Sequence, residues 1–277
     1  MGLRSKLKVL ALLPALALAV TACGSGSGGD AGGTTANGVK LVKAGQINTC
    51  TNLPYEPFQF TQGDKVVGFD VDLIDLAAAK LGVTQEIVDI QFDSIRSGAA
   101  LNSNRCDVAA AGMTITPERQ QNLDFSRPYF DEVLGLVVPK GAGVTSLEQL
   151  QGKRIGVQKG TTSLEYATEK GFTPTEFEDS AKQLQAFQSG QVDAVLQDLP
   201  VVNGWLAKPD VADKIELVDE LETGAQYGFA VKKGGNPELL KTIDEALEAA
   251  IADGTWAKLY EQWMGSKPES TPAPTTS

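Results

Sequence analysis

The sequence predicts an α/β protein built from two lobes. Short apolar strands alternate with amphipathic helices along the chain, which is the pattern of sheets covered by helices. A faint internal repeat indicates two similar halves, because residues 101–108 and 187–194 share their apolar, Ser and Asp positions and each leads into an apolar strand. Ligands of such sheets bind beyond the carboxyl ends of strands. The equivalent strand-end positions of the two halves, Gly112 and Asp198, are therefore candidate site residues.

Residues 1–22 have the organisation of a secretory signal. Basic residues precede an apolar run over 9–20, which is short for a membrane span. The ending Val20-Thr-Ala-Cys23 resembles a bacterial lipobox, which predicts cleavage before Cys23, lipidation of that cysteine and a mature protein anchored outside the cytoplasmic membrane. An ordinary signal peptide followed by a chance cysteine is the alternative.

Both ends of the mature chain are predicted to be flexible. Residues 23–37 are rich in Gly, Ser and Thr and form a tether, and residues 266–277, with several prolines, form a disordered tail. Removal of residues 1–22 deletes three positive charges and moves the net charge from -11 to -14. So acidic an exterior argues against a nucleic acid partner and leaves membrane attachment to the lipid.

The cysteines indicate an oxidising compartment. With Cys23 assigned to the lipid, Cys50 and Cys106 remain, and an even number outside the cytoplasm favours a disulfide between them. Two buried free thiols are the alternative.

In the first half, two prolines make residues 52–58 an ordered loop that presents Tyr55 rigidly after a strand over 47–51. A helix follows, with Leu73, Leu76 and Leu81 on one face. Later elements are a strand over 86–90, a helix near 95–101, a strand from 108 and a helix from 117.

The turn at 111–119 offers an anion site. Thr116 caps a helix whose first residue is proline, and Arg119 lies in the first turn, where the helix dipole disfavours a cation. Its planar fork suits a carboxylate, which the free N–H groups of a helix start also bind. The alternative is a surface arginine paired with Glu118 or Asp124.

The second half repeats this pattern. A strand over 154–157 runs into the polar glycine turn 158–163 and a helix, but without the spacing of a phosphate loop. After Asp198 the chain forms a helix and returns along a strand over 223–231. The closing helices, over 237–253 and 256–263, carry an aromatic stripe that is typical of core.

Five motifs in this order carry a resemblance to a known family. They are Tyr55-Glu-Pro-Phe58, Gly68-Phe-Asp-Val-Asp-Leu73, Ala111-Gly-Met-Thr-Ile-Thr-Pro-Glu-Arg119, Asp124-Phe-Ser126 with Pro128-Tyr129, and Asp193-Ala-Val-Leu-Gln-Asp198. Over residues 38–265 the chain resembles family 3 extracellular solute-binding proteins of ABC transporters, the polar amino acid type that includes glutamine-binding proteins.

The resemblance implies the periplasmic-binding-protein type II, or Venus-flytrap, fold. Each lobe is then a mostly parallel sheet flanked by helices, and two strands form the hinge, near 136–140 and 223–229. The implied segments are 38–138 for the first part of lobe 1, 139–223 for lobe 2 and 224–265 for the return to lobe 1.

The resemblance also implies how an amino acid is held. Arg119 binds the α-carboxylate together with the Thr114 hydroxyl and the N–H groups near Thr161 and Thr162. Asp198 binds the α-ammonium. The remaining contacts are the Gly112 carbonyl as second acceptor, Tyr55 and Phe92 on either side of the ligand's side chain, and Asn52 and Gln158 at its far end.

The two amides at 52 and 158 favour a neutral polar ligand such as glutamine or asparagine. Glu56 or Lys159 could shift that preference.

The expected function is that of an extracellular lipoprotein, monomeric and not an enzyme, that captures a polar amino acid and delivers it to membrane permease subunits. No cofactor and no metal are expected. One alternative is a cyclohexadienyl-dehydratase-like enzyme with Glu56 or Asp198 as acid or base, although the chain has no histidine. The other is a sensor or binding module that signals through a separate partner.

Overall fold

The computed structural model describes residues 33–34 and 38–273 of the chain. The predicted signal over 1–22, the lipidation site Cys23 and most of the tether lie outside the described residues, as do residues 274–277. Within the described part, no helix combines the length and the apolar character that crossing a membrane requires.

Strands and helices alternate as predicted. The strands are β1 (Gly33–Thr34), β2 (Lys40–Leu41), β3 (Gln46–Thr51), β4 (Phe60–Gln62), β5 (Lys65–Val67), β6 (Thr84–Asp89), β7 (Val108–Ala109), β8 (Leu123–Phe125), β9 (Phe130–Pro139), β10 (Ile155–Gln158), β11 (Thr175–Phe177), β12 (Ala194–Asp198), β13 (Ile215–Tyr227) and β14 (Ala230–Lys232). The helices are α1 (Phe69–Leu81), α2 (Phe92–Arg96), α3 (Ala99–Asn102), α4 (Pro117–Gln120), α5 (Thr162–Glu169), α6 (Ser180–Gln188), α7 (Leu199–Leu206), α8 (Pro209–Ala212), α9 (Pro237–Asp253) and α10 (Thr255–Met264), with a 3₁₀ turn at Leu147–Leu150.

Two five-stranded sheets form the two lobes, which confirms the two-lobed α/β class. The first has the order β6-β3-β7-β14-β8 and the second the order β11-β10-β12-β9-β13. In each sheet the strands preceding crossover helices pair in parallel, whereas β14, β9 and β13 add antiparallel neighbours. Both sheets are therefore mixed, because β14 in the first sheet and β9 in the second run against the other four strands.

The connections between the lobes lie side by side. The N–H of Ser126 donates to the carbonyl of Phe229 at 2.8 Å, and that of Tyr129 donates to the carbonyl of Tyr227 at 3.0 Å. The whole of β9 pairs within the second sheet, so this sheet begins at Phe130, before the expected boundary after residue 138. Apolar periodicity identifies a buried strand but not the sheet in which it pairs, which accounts for the difference.

Helices α1, α9 and α10 cover the first sheet. Phe69 is fully buried and its ring contacts the rings of Tyr129, Trp256 and Tyr260. Trp256 Nε1 donates to the Tyr129 carbonyl at 3.1 Å, so the indole has a partner in the core. The aromatic stripe of the last helix thus packs against the start of α1, next to the inter-lobe connections.

Cys50 and Cys106 form a disulfide in the first lobe, with an S–S distance of 2.05 Å. It joins β3 to the segment that leads into β7, and both cysteines are buried. Of the two arrangements open from the sequence, the structure has the bonded one.

Both predicted flexible ends include described residues. In the tether, Gly33 pairs with Leu41 and Thr34 with Lys40. In the tail, Pro272 is buried and the Ala273 carbonyl accepts a 2.9 Å hydrogen bond from Gln226 Nε2. The described part of the tail therefore lies against β13.

Candidate ligand-binding site

A cavity lies between the two lobes, beyond the carboxyl ends of β3, β7, β10 and β12. The lining side chains lie so close together that the free space is about 10 Å³, room for about one water molecule. The first lobe lines it with Asn52, Tyr55, Gln59, Phe92, Ala111, Gly112, Thr114 and Arg119, and the second lobe with Gln158, Thr161, Thr162 and Asp198. Every residue that the resemblance assigned to ligand binding lies here, and Gln59 and Ala111 join them. Their roles remain predictions.

Gly112 makes the turn that opens the first lobe's side of the cavity. Its φ is +54°, in the left-handed region, and a Cβ there would lie 2.8 Å from Tyr55 Cε1. The Gly112 N–H donates to Asp70 Oδ2 at 2.8 Å, and the Tyr129 hydroxyl donates to Oδ1 at 2.7 Å. Burial raises the pKa of Asp70 to about 7, although both hydrogen bonds favour its ionised form. Asp70 thus holds the turn that the cavity needs.

Arg119 is a buried cation at the centre of the cavity. Its backbone N–H donates to the Thr116 hydroxyl at 3.2 Å, which confirms the predicted helix cap. The guanidinium donates from Nη1 to the Thr114 carbonyl at 2.8 Å and from Nη2 to the Gly160 carbonyl of the other lobe at 3.1 Å. Only 3% of the residue is exposed, so the surface-pair alternative does not apply. Burial lowers the pKa of Arg119, yet a guanidinium remains charged.

A buried acid that was not predicted contacts two threonines of the cavity lining. Glu132, on β9, is 2% exposed, and its Oε1 accepts hydrogen bonds from the Thr114 hydroxyl at 2.6 Å and the Thr162 hydroxyl at 2.7 Å. The Thr161 hydroxyl instead donates to the Gln158 carbonyl at 2.7 Å. A carboxylate within an otherwise apolar strand was the signal that could have found Glu132.

Asp198 provides a carboxyl group at the opposite end of the cavity. It is the last residue of β12, is 4% exposed, and accepts hydrogen bonds from the hydroxyls of Tyr55 and Tyr227. Burial first, and then the negative charge of Glu132, raise the pKa of Asp198 to about 7, while both tyrosines and Arg119 act in the opposite direction. A cation bound here would stabilise the ionised form of Asp198, which burial disfavours. Tyr227 was not predicted, because its contact depends on how β13 pairs with β9.

The far end of the cavity offers oxygen acceptors. Gln158 Nε2 donates to Asn52 Oδ1 at 3.0 Å, and Asn52 Nδ2 donates to the Ile90 carbonyl at 3.0 Å. Gln158 Oε1 and Gln59 Oε1 are buried and accept no hydrogen bond from any described residue. Buried acceptors without partners favour a ligand group that brings N–H donors.

Ion pairs join the lobes at the rim. Lys208 Nζ lies 2.8 Å from Glu56 Oε2, and Lys159 Nζ lies 2.8 Å from Asp93 Oδ2. Glu56 and Lys159, the two residues expected to modify ligand preference, are thus paired outside the cavity lining. No group of His, Cys, Asp and Glu in the described part of the chain is arranged to hold a metal ion.

Comparison with protein families identifies a match over most of this fold. The family model for bacterial extracellular solute-binding proteins, family 3, matches residues 47–266.

Two curated bacterial proteins are similar over most of their length. The putative ABC transporter arginine-binding protein 2 of Escherichia coli is 34% identical over 82% of this chain and 93% of its own. The arginine-binding extracellular protein ArtP of Bacillus subtilis is 31% identical over 92% of this chain and 96% of its own.

Two solved structures share the fold. An ancestral arginine-binding protein bound to arginine is 41% identical, with a TM-score of 0.73 over 79% of this chain and 98% of its own. The structure of an ancestral arginine-binding protein bound to glutamine is also 41% identical, with a TM-score of 0.74 over 80% and 99%.

Proposed function

The chain belongs to family 3 of the bacterial extracellular solute-binding proteins, and on that basis we propose that it captures one polar amino acid between its lobes and delivers it to an ABC importer. One observation carries the proposal. A buried guanidinium and a buried carboxylate, Arg119 and Asp198, line the same cavity from opposite lobes.

This arrangement matches a zwitterion. An amino acid that leaves water carries two charges, and each requires an opposite charge or its desolvation is uncompensated. Arg119, with the first N–H groups of α5, binds the carboxylate. Asp198 binds the ammonium, and the hydroxyls of Tyr55 and Tyr227 keep the Asp198 carboxylate oriented.

Closure then depends on ligand. The two charged groups belong to different lobes, so only the closed arrangement completes both sets of contacts. The Arg119 hydrogen bond to the Gly160 carbonyl and the Lys208–Glu56 ion pair form only when the lobes meet. The closed form is what permease subunits recognise.

The ligand's side chain ends in N–H donors. Asn52 and Gln158 are neutral, and the unpartnered acceptors of Gln158 and Gln59 suit a primary amide or a guanidinium. Relatives named for arginine, and the ancestral protein with glutamine bound, fit this class. Glutamine is our first candidate, because no carboxylate is among the residues at this end.

The proposal includes location and assembly. We propose that the mature protein is a monomer and that acyl chains on Cys23 hold it on the extracellular face of the cell membrane, which the lipobox-like ending at Cys23 supports. No observation favours the dehydratase alternative, since Glu56 is paired with Lys208 at the rim.

The test is calorimetric titration of the mature chain, from residue 23, with each amino acid. The protein is first unfolded with its disulfide intact and refolded, which removes any ligand carried through purification. We expect tight one-to-one binding of one or a few amino acids, lost in Arg119→Ala and Asp198→Ala and retained in Arg154→Ala, whose ion pair with Asp193 lies on the surface. A protein that melts cooperatively and binds none of them would reject the proposal.

A further inference from the structure

Glu132 occupies the hydrogen-bond donors that an amino acid carboxylate needs. A threonine hydroxyl has a single hydrogen to donate. Thr114 and Thr162 both give theirs to the same atom, Glu132 Oε1. While these bonds persist, neither hydroxyl can donate to a ligand.

The three residues come from three parts of the molecule. Thr114 follows the turn of the first lobe, Thr162 begins α5 of the second, and Glu132 lies on β9, next to the inter-lobe connection. Glu132 is therefore held between the lobes where the two halves of the anion site meet. Its carboxylate is buried and its backbone carbonyl accepts a hydrogen bond from the Thr223 hydroxyl at 3.2 Å, which fixes the strand locally.

Charged and titratable groups face Glu132 from every side. Those that interact with it electrostatically are Arg119 on α4, Asp198 on β12, Glu165 on α5, Tyr55 in the first-lobe loop and Tyr227 on β13. Only Arg119 is a cation. Before any ligand binds, the single positive charge of Arg119 therefore faces two buried carboxylates, Glu132 and Asp198.

The ligand's carboxylate cannot bind here while Glu132 keeps both its charge and its hydrogen bonds. The ligand's carboxylate and that of Glu132 would share Arg119 and the same hydroxyls, and like charges at one site are not both ionised without a large penalty. If Glu132 lost the hydroxyls and stayed charged, it would be a buried anion without donors.

We propose that Glu132 takes up one proton from solvent when the ligand's carboxylate binds, which couples capture to pH. The inference rests on the proposed function. In the bound state the hydroxyls of Thr114 and Thr162 turn to the ligand, and the new O–H of Glu132 donates to the same carboxylate. The proton comes from water, so the site gains one positive charge as the ligand brings one negative charge.

Asp198 releases a proton on ligand binding, which opposes the uptake by Glu132. Its pKa of about 7 means that part of the ligand-free protein carries a proton there, and binding of the ammonium releases it. The negative charge of Glu132 helps to raise this pKa, so Glu132→Gln releases no more from Asp198 than wild type does. The difference in proton uptake between wild type and Glu132→Gln is therefore a lower limit on the proton that Glu132 takes up. Glutamine suits the comparison because it has both an acceptor and N–H donors, as the protonated acid does.

The experiment measures proton uptake by titrating glutamine into the protein in buffers of different ionisation enthalpy at neutral pH. Wild type, Glu132→Gln and Glu165→Gln are compared, since Glu165 also lies near Arg119 but does not bind the hydroxyls. We expect wild type to take up between about half a proton and one proton more than Glu132→Gln; one proton corresponds to about a tenfold change in Kd per pH unit. Glu165→Gln is expected to behave as wild type does.

Tighter binding by Glu132→Gln above neutral pH, with the smaller proton uptake, supports the inference. Equal proton numbers and equal affinities in wild type and Glu132→Gln overturn it, as does loss of binding in folded Glu132→Gln. Preferred binding of agmatine, an amine without a carboxylate, would also overturn it, because Glu132 would then act as a permanent anion. If no amino acid binds any of the three folded proteins, the proposed function fails as well.

Discussion

Gln158 Nε2 of the second lobe donates a 3.0 Å hydrogen bond to Asn52 Oδ1 of the first, so two neutral amides meet across the cavity. The pair leaves Gln158 Oε1 without a donor among the described residues. Residues 52 and 158 therefore determine the charge that the protein presents at this end of the cavity. A charged residue at either position should change which amino acid binds.

Asn52→Asp is expected to shift binding from glutamine towards arginine. A carboxylate at this buried position gains a charge-assisted bond to a guanidinium, about 1.5–3 kcal/mol in favour of the cationic ligand. The ratio of the two dissociation constants, measured by calorimetry, should change by tenfold or more. Asn203→Asp, on the exposed side of α7, serves as the control. An unchanged ratio in Asn52→Asp would place the ligand's side chain elsewhere.

Asp198→Asn is expected to remove binding and to change how stability depends on pH. Asp198 and Asp70 both have a pKa of about 7 in the folded protein, against 3.8 for the ordinary group. The folded state binds these protons more tightly, so both groups make the free energy of unfolding fall as pH rises from about 4 to 7.

Urea unfolding of the ligand-free protein across this range checks the prediction. Asp198→Asn should show a shallower decline than wild type, by about 2–4 kcal/mol over the window, because only Asp70 remains. The same decline in both proteins would mean that Asp198 is not held in its neutral form by burial.

Arg119→Lys is expected to weaken ligand binding although the charge is kept. An ammonium cannot donate to the Thr114 and Gly160 carbonyls and to a carboxylate in the planar geometry of a guanidinium. We predict a loss of about 2 kcal/mol or more, measured as the dissociation constant by calorimetry. Arg154→Lys, in an exposed ion pair, should bind as wild type does. Wild-type affinity in Arg119→Lys would show that charge alone suffices.

Removal of the disulfide is expected to destabilise the first lobe. Cys50 and Cys106 are separated by 56 residues, and closing a loop of this length stabilises the folded state by about 4 kcal/mol in the chain-entropy account. The double variant Cys50→Ala with Cys106→Ala should unfold at lower urea concentration than the oxidised wild type. Reducing agent should lower the midpoint of the wild type and leave that of the variant unchanged. Equal midpoints in the oxidised wild type and the variant would contradict this stabilisation.

Much of the site could be predicted because its signals are local. The turn around Gly112 and the cap at Thr116 follow from a few consecutive residues, and Asp198 follows from the repeat between the halves. The same residues made Arg119 a candidate for an anion site but left a surface ion pair open, which its burial excludes. These positions follow apolar strands, and ligands of such sheets bind beyond the carboxyl ends of strands.

The rest depends on pairing between distant strands. Glu132 and Tyr227 contact residues of the cavity lining because β9 pairs antiparallel with β13, which periodicity alone does not reveal. The same pairing places the start of the second sheet at Phe130, before the predicted boundary, and gives this sheet an antiparallel pair. The features that were not predicted are therefore those that depend on pairing between strands far apart in the sequence.

The most direct test of zwitterion capture removes one charge from the ligand and one from the protein. Once titration has identified the amino acid, starting with glutamine, its α-carboxamide is titrated into wild type and Arg119→Ala. We predict a large loss of affinity in wild type and a much smaller further loss in Arg119→Ala, because the carboxylate and Arg119 bind each other. An α-carboxamide that binds wild type as tightly as the amino acid would contradict the account.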